Sequence, residues 1–288
     1  MEVKRVKDWV KEIDFLHHWP FIGMHLSVLL VFWSGTSLAA VLICIGAFFI
    51  RMFGITAGYH RYFSHRSFQT SRPFQFFLAF LGASSTQMGP LWWAAHHRHH
   101  HRHSDEEPDV HSPIIDTFLW SHIGWIMAKD SHNPGYEEKV ADLAVYPEIR
   151  WIDKNFKVAG LAMFLSMCLY GYLIERFLPS WHTTAAQVIV WGFFVSTVLL
   201  YHGTFCINSL THVWGSRRYK TTDDSRNNFL LSLITLGEGW HNNHHAYCGA
   251  SKMGFFWWEI DVTYYILKML SWFHIVWDLK QPPKQAYQ

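Results

Sequence analysis

The sequence predicts an all-α integral membrane protein: four transmembrane helices in two hairpins, with the histidines gathered on one side of the bilayer. Three observations predict it. Four apolar stretches of about 20 residues come in two pairs, each pair joined by a short turn. Half of the residues are hydrophobic and 18% aromatic, while only 16% are charged, below the quarter typical of soluble domains. Three histidine-rich blocks lie at the ends of those stretches or outside them, and histidine supplies 21 of the 288 residues. The mean hydropathy of +0.02 averages apolar runs with polar, histidine-rich ones.

The first span is expected from Leu16 to Trp33, followed by a turn at Ser34-Gly-Thr-Ser37. The second runs from Leu38 to Ala57. The third covers Val158 to Leu178, where Pro179-Ser-Trp-His-Thr183 breaks it, and the fourth covers Thr184 to Ile207. Spans of that length give about 30 Å of helix, matching a bilayer core. A buried, soluble bundle is the alternative, but helices apolar around most of their faces would need more covering protein than this chain has. Between the hairpins, Phe74 to Trp93 is apolar but interrupted by Gly82, Gly89 and Pro90, which fits a re-entrant or interfacial segment. Phe255 to Leu279 is aromatic with interspersed Asp261, Lys268 and Asp278, and reads as an amphipathic helix on the membrane or capping the cytosolic part. No repeat or low-complexity linker divides the chain, so residues 1–288 read as one domain.

Charge orients the spans. Lys4, Arg5, Lys7 and Lys11 precede the first, and Arg61, Arg66 and Arg72 follow the second. The first turn is uncharged, and the second hairpin's turn has only Glu175 and Arg176 nearby. Both termini and the middle loop therefore face the cytoplasm, which means the inner membrane in a prokaryote. All three histidine blocks fall on that side. A net charge of +2 says little about nucleic acid, and with no basic tract in the sequence no nucleic-acid partner is expected. Cys44, Cys168, Cys206 and Cys248 form no C-x-x-C pair and read as free thiols. No secretory signal peptide is visible.

The blocks are His60-Arg-Tyr-Phe-Ser-His65, His97-Arg-His-His100-His101 and His241-Asn-Asn-His244-His245, with Asn208-Ser-Leu-Thr-His212 as a fourth piece. On a helix, H-x-x-H-H puts its histidines on one face, and N-x-x-x-H does the same for its pair. His60 and His65 are about 140° apart on an ideal helix, so one lies past a helix end or the helix is distorted there. The second block has two registers: His97, His100 and His101 share one face, and His96, His99 and His103 another. Imidazole suits iron, copper, zinc and nickel. Nine candidates exceed the four that a structural zinc needs, and they suffice for two ions that jointly split dioxygen. Asp105 and Glu238 flank the blocks, either as acceptors for ligand N–H groups or as solvated acids. His17, His18, His25, His122, His132, His182 and His274 read as ordinary surface or core residues. His111 and His202 lie near the blocks without ligand spacing.

Together these pieces, with Gly54-Ile-Thr-Ala-Gly-Tyr-His60 before the first block and Gly237-Glu-Gly-Trp-His241 opening the last, resemble the membrane fatty acyl desaturases. The similarity is to the delta-9 acyl-CoA or acyl-lipid type that includes stearoyl-CoA desaturase, and it covers almost the whole chain. In that family H-R-x-H-H is followed by a basic residue, then Ser or Thr and an acid. Arg102, Ser104 and Asp105 match only if the block starts at His97.

The resemblance implies a diiron site held by His60, His65, His97, His100, His101, His212, His241, His244 and His245, with Asn208 acting through a water. It also implies four transmembrane helices beneath a cytosolic helical cap that carries the two metals. An acyl tunnel would run past Gln87, Trp92 and Trp93, and dioxygen would serve as co-substrate in forming a cis double bond. The substrate would be a long-chain saturated acyl group on coenzyme A, a carrier protein or a lipid. Arg72, Arg98 and Arg150 are candidates for gripping a phosphate on the carrier. No H-P-G-G haem motif, G-x-G-x-x-G or cysteine cluster is present, so no cytochrome b5 or other electron-carrier domain is expected. Electrons would come from a separate protein of ferredoxin, rubredoxin or cytochrome b5 type. Two rivals remain: a membrane diiron hydroxylase or ketolase with the same ligands, and a histidine-rich metal transporter or sensor, which would place its ligands near the bilayer midplane. Unperturbed imidazoles would release metal below about pH 6.

Overall fold

The computed structural model describes residues 12–129 and 136–288; Lys4, Arg5, Lys7, Lys11 and His132 fall outside them. In chain order the helices are α1 (Trp19–Ser34), α2 (Leu38–Ser64), α3 (Arg72–Ala83), α4 (Pro90–His103), α5 (Phe118–His122), α6 (Pro147–Lys154), α7 (Phe156–Phe177), α8 (Ala185–Val213), α9 (Phe229–Ile234), α10 (His241–Ala246) and α11 (Val262–Trp272). Single helical turns connect some of them. One small antiparallel pair, β1 (Gln69–Thr70) with β2 (Val276–Trp277), ties the C-terminal segment to the end of α2.

Among the described residues three helices are long and apolar enough to cross a membrane: α2, α7 and α8. The first apolar stretch is shorter than its hydropathy suggests. Pro20 sets the start of α1, and the helix tightens to a 3-10 turn over Ser27–Leu30. There the Ser27 hydroxyl donates to the Met24 carbonyl (2.6 Å). At 1.5 Å per residue α1 is about 24 Å long. No α1 residue is fully buried. The two hairpin turns meet: Ser37, which caps α2, lies 2.9 Å from the Thr183 hydroxyl, and Trp191 Nε1 donates to the Gly35 carbonyl (3.1 Å).

At their other ends α2 and α8 run on beyond the expected limits at Ala57 and Ile207, to Ser64 and Val213. The α2 extension is buried throughout although it carries His60, Arg61 and Ser64, and in the α8 extension Ser209, Thr211 and His212 are buried. Close packing makes this possible. A Cβ on Gly54 would sit 2.7 Å from the Gly82 nitrogen, so α2 and α3 touch backbone to backbone. Phe74 to Trp93 resolves into α3, a turn and the start of α4, rather than one segment. The expected helix from Phe255 to Leu279 is helical only over α11, capped at its start by the Asp261 carboxylate; beyond it the chain leaves helical geometry at His274 (φ 55°) and forms β2. A core of Leu78, Leu91, Leu143, Ile149 and Ile152, among others, fills the space between α3, α4 and α6.

Candidate metal centre

The first block owes its geometry to an unusual helix. From Gly54 to Ser64, α2 is a π-helix, whose i→i+5 hydrogen bonds bring residues five apart onto one side. The His65 N–H donates to the His60 carbonyl (3.2 Å), with His65 at the helix end. Both options left open by the spacing are realised together. In α4, His97, His100 and His101 turn inward. His96 instead bonds the Trp92 carbonyl through Nδ1 (2.8 Å), and His99 Nε2 lies 3.2 Å from the Pro108 carbonyl. Asp153 anchors the start of α4 by accepting from the backbone N–H of Leu91 (2.8 Å) and Trp92 (3.1 Å). The last turns of α8 carry Asn208 and His212, and α10 carries the third block.

All nine histidines converge, in two groups. His60, His65, His97, His101 and His244 form one; His100, His212, His241 and His245 form the other. Within each, one ring nitrogen per residue lies within 4.8 Å of the rest. Nε2 of His60 is 3.0 Å from that of His244, which is 2.9 Å from that of His101. The His65–His97 and His212–His241 Nε2 pairs stand at 2.8 and 3.1 Å.

The other nitrogen of four of these rings faces a carboxylate. His60 Nδ1 meets Glu238, His212 Nδ1 meets Asp105 (2.8 Å), His100 Nδ1 meets Asp109 (3.0 Å) and His245 Nδ1 meets Asp223 (2.6 Å). Such contacts hold the proton on Nδ1 and leave an Nε2 lone pair aimed inward. Lone pairs facing each other at about 3 Å repel unless a cation lies among them, and His245 Nε2 is buried with no hydrogen-bond partner in the protein. The donor set therefore fits two metal ions.

Electrostatics agree. Burial first, then the neighbouring imidazoles, holds His65, His97, His101, His241 and His244 far below the ordinary histidine value. Burial lowers His245 to about 4 against the pull of Asp223. Burial also works against a charge on His100, but Asp109 outweighs it and raises that imidazole.

Of the acids flagged in the sequence, Asp105 and Glu238 are both placed as ring partners. Asp109 and Asp223 were missed: each is a lone residue without motif spacing, and Asp223 lies 22 positions from His245. Arg61 was read only as a topology charge. It is 1% exposed and bonds Glu238 (3.0 Å), Asp261 (2.9 Å) and the Ser251 carbonyl (2.7 Å), fixing the carboxylate behind His60. His111, set aside for lack of spacing, packs its ring 4.3 Å from that of His100. His202 pairs instead with His122 (3.0 Å), away from both groups.

Two cavities adjoin the histidines. A small one of about 30 Å³, space for a water or two, is lined by Asn208, Glu238 and members of both groups: His60, His97, His100 and His241. A large one of about 910 Å³ begins at His97 and Asn208, passes Gln87, Trp92 and Trp93, and continues between the apolar side chains of α1, α7 and α8.

The comparisons agree with this architecture. The family described as fatty acid desaturase matches residues 17–270. An sn-1 stearoyl-lipid 9-desaturase of Anabaena variabilis is 34% identical over 95% of this chain and 96% of its own length. An acyl-CoA C20 Delta5-desaturase of Anemone leveillei is 35% identical over 96% of this chain and 88% of its own. A palmitoyl-monogalactosyldiacylglycerol delta-7 desaturase of Arabidopsis thaliana is 32% identical over 98% and 72%. With a match over most of its length and relatives of this similarity, the chain belongs to the fatty acid desaturase family, whose members are oxidoreductases.

Proposed function

We propose that this protein is an oxygen-dependent diiron desaturase that forms a cis double bond, at the delta-9 position, in a long-chain saturated acyl group. The observation that carries this reading is the large apolar cavity that reaches the first histidine group at His97, where it shares His97, Trp93 and Asn208 with the small cavity lined by members of both groups. His60, His65, His97, His101 and His244 would hold one iron, and His100, His212, His241 and His245 the other, with Asn208 reaching the second through a water in the small cavity. Iron bound there would supply dioxygen activation. The overall reaction balances as one –CH2–CH2– unit, O2, two protons and two electrons giving –CH=CH– and two waters.

The chain's own residues do the rest. Glu238, Asp105, Asp109 and Asp223 keep protons on Nδ1 and so fix ring orientation. The cavity wall, including Trp92, Trp93 and Phe205, holds the acyl chain in place and excludes bulk water. In this reading α1 is the fourth span. Trp19 and Trp33 at its two ends, 70% and 74% exposed, serve as interfacial anchors, and local thinning or tilt absorbs its shortness. The histidine centre faces the cytoplasm within a single-domain chain, and a separate ferredoxin, rubredoxin or cytochrome b5 type protein delivers the electrons. The delta-9 position is supported by relatives named 9-desaturases.

The test is expression in a host that lacks such an enzyme, with fatty-acid profiling, double-bond location by mass spectrometry, and iron analysis of the purified protein. A new cis-9 monoene with two irons per chain is the expected result. An alcohol product would assign the chain to the hydroxylases, and a double bond at carbon 5 or 7 would move the specificity.

A further inference from the structure

If the chain is an acyl desaturase, the carrier of its substrate can be read from the walls and mouth of the large cavity. On one side the wall is α1, through Pro20, Phe21 and Met24; on the other it is α7, through Phe156, Gly160 and Leu161. Pro20 and Leu161 line the cavity and are accessible, Leu161 by 56%, and Leu161 shares its helix face with Leu165 and Leu169, which are exposed and do not line the cavity. Along this seam the cavity wall and the outer face of the protein are the same residues. The outer face around it is apolar: Trp19, Leu26, Leu165 and Leu169 are all more than half exposed. The helix on one side of the seam, α1, has no fully buried residue and is the least embedded of the apolar helices.

The polar end of the cavity is equally informative. Among the described residues its charged ones are Lys129, Lys157 and Asp14, with Asp14 bonded to His17 (2.6 Å). Coenzyme A brings a phosphomonoester and a diphosphate, together about four negative charges, and recognising it calls for a cluster of free cations. The arginines that the sequence offered for that purpose are engaged elsewhere. Arg72 forms a two-pronged pair with Glu148 (2.9 and 2.7 Å), Arg98 does so with Asp142 (2.6 and 3.0 Å), and Arg150 lies 3.7 Å from Glu137. None of the three lines the cavity. Two lysines suit the single phosphate or the ester carbonyls of a glycerolipid at the bilayer surface.

We propose that the acyl chain reaches the metal centre while still esterified in a membrane glycerolipid, which enters sideways between α1 and α7 with its headgroup held at Lys129 and Lys157. This rests on the desaturase reading above and names its substrate class.

The test uses the full-length, iron-loaded protein reconstituted in vesicles of unsaturated lipid and chemically reduced for a single turnover. Phosphatidylcholine carrying an isotopically labelled stearoyl chain is supplied in one sample and labelled stearoyl-CoA in another, and intact molecules are read by mass spectrometry. The expected result is loss of two hydrogens from the intact lipid, with stearoyl-CoA desaturated at least tenfold more slowly. Desaturation of stearoyl-CoA with the lipid unchanged overturns the proposal and leaves the desaturase reading standing. Failure on both carriers overturns both. Removing the two headgroup contacts, as Lys129→Ala with Lys157→Ala, should raise the lipid concentration for half-maximal turnover, roughly two- to fivefold per lysine, the worth of an exposed charge contact. An unchanged value would remove the lysines from the site. Binding is read independently of turnover. In the iron-free protein a diazirine on the lipid's acyl chain should label α1 and α7 peptides, and labelling confined to other helices would refute entry at this seam.

Discussion

At the scale of single residues, the burial of the imidazoles changes what acid should do. Unfolded histidines take up protons near pH 6.5, whereas His245 in the fold resists until about 4, and His65, His97, His101, His241 and His244 are likewise held far down. Below 6.5 the unfolded state therefore binds more protons than the native one, and stability must fall as pH drops through this window. Melting curves of the metal-free protein should show that decline between about pH 6.5 and 4, with full stability above it. For the same reason metal release should be displaced from the value near 6 set by unperturbed imidazole toward about 4; release at pH 6 under chelator would contradict the burial. Replacing the carboxylate behind His60, Glu238→Gln, should weaken iron binding by about 10- to 100-fold, measured as iron retained on dialysis, because the ring loses its charged acceptor. His100→Ala and His244→Ala should each abolish double-bond formation while the spans keep their helical circular dichroism. The nine imidazoles were legible in the sequence because ligation repeats one residue type at helical spacings. Asp109, Asp223 and Arg61 were not, since each enters as a single residue whose partner is fixed only by the tertiary fold.

At the scale of elements, hydropathy located the hairpins but ended two spans early. It reports the composition of a helix, and α2 and α8 continue past Ala57 and Ile207 into buried polar residues without losing helical geometry. The π-register of α2 was equally invisible, although a five-residue spacing between two ligands was its trace. That register is a testable device. Deleting Ala57, fully buried in the π-segment, should return the helix to α-register and swing His60 by about 100°. The expected outcome is loss of iron stoichiometry with helix content retained; a deletion variant that still loads two irons would show that the π-turn is dispensable. The tail after α11 was misread for a different reason: aromatic residues serve an interfacial helix and a short strand equally well, and only pairing with Gln69 and Thr70 decides between them.

At the scale of the whole molecule, the contact between the two hairpin turns at Ser37 and Thr183 puts them on one side and the histidine centre on the other. Reporter fusions at the C-terminus and within the middle loop should both respond as cytoplasmic, and one at Gly35 as external; a middle loop accessible from outside would reverse the orientation. The ring partners have a further consequence. The nine imidazoles would bind metal as neutral ligands, yet Asp105, Asp109, Asp223 and Glu238 stand behind them, while Arg61 and Asp261 offset each other. Four anions in a dry pocket are the electrical counterweight of two divalent ions. Two ferrous ions would balance that charge, whereas a ferric pair would leave two positive charges uncompensated in a pocket with little water to screen them. The wiring of these side chains would thus bias an iron-loaded, empty-handed enzyme toward drawing in the next pair of electrons.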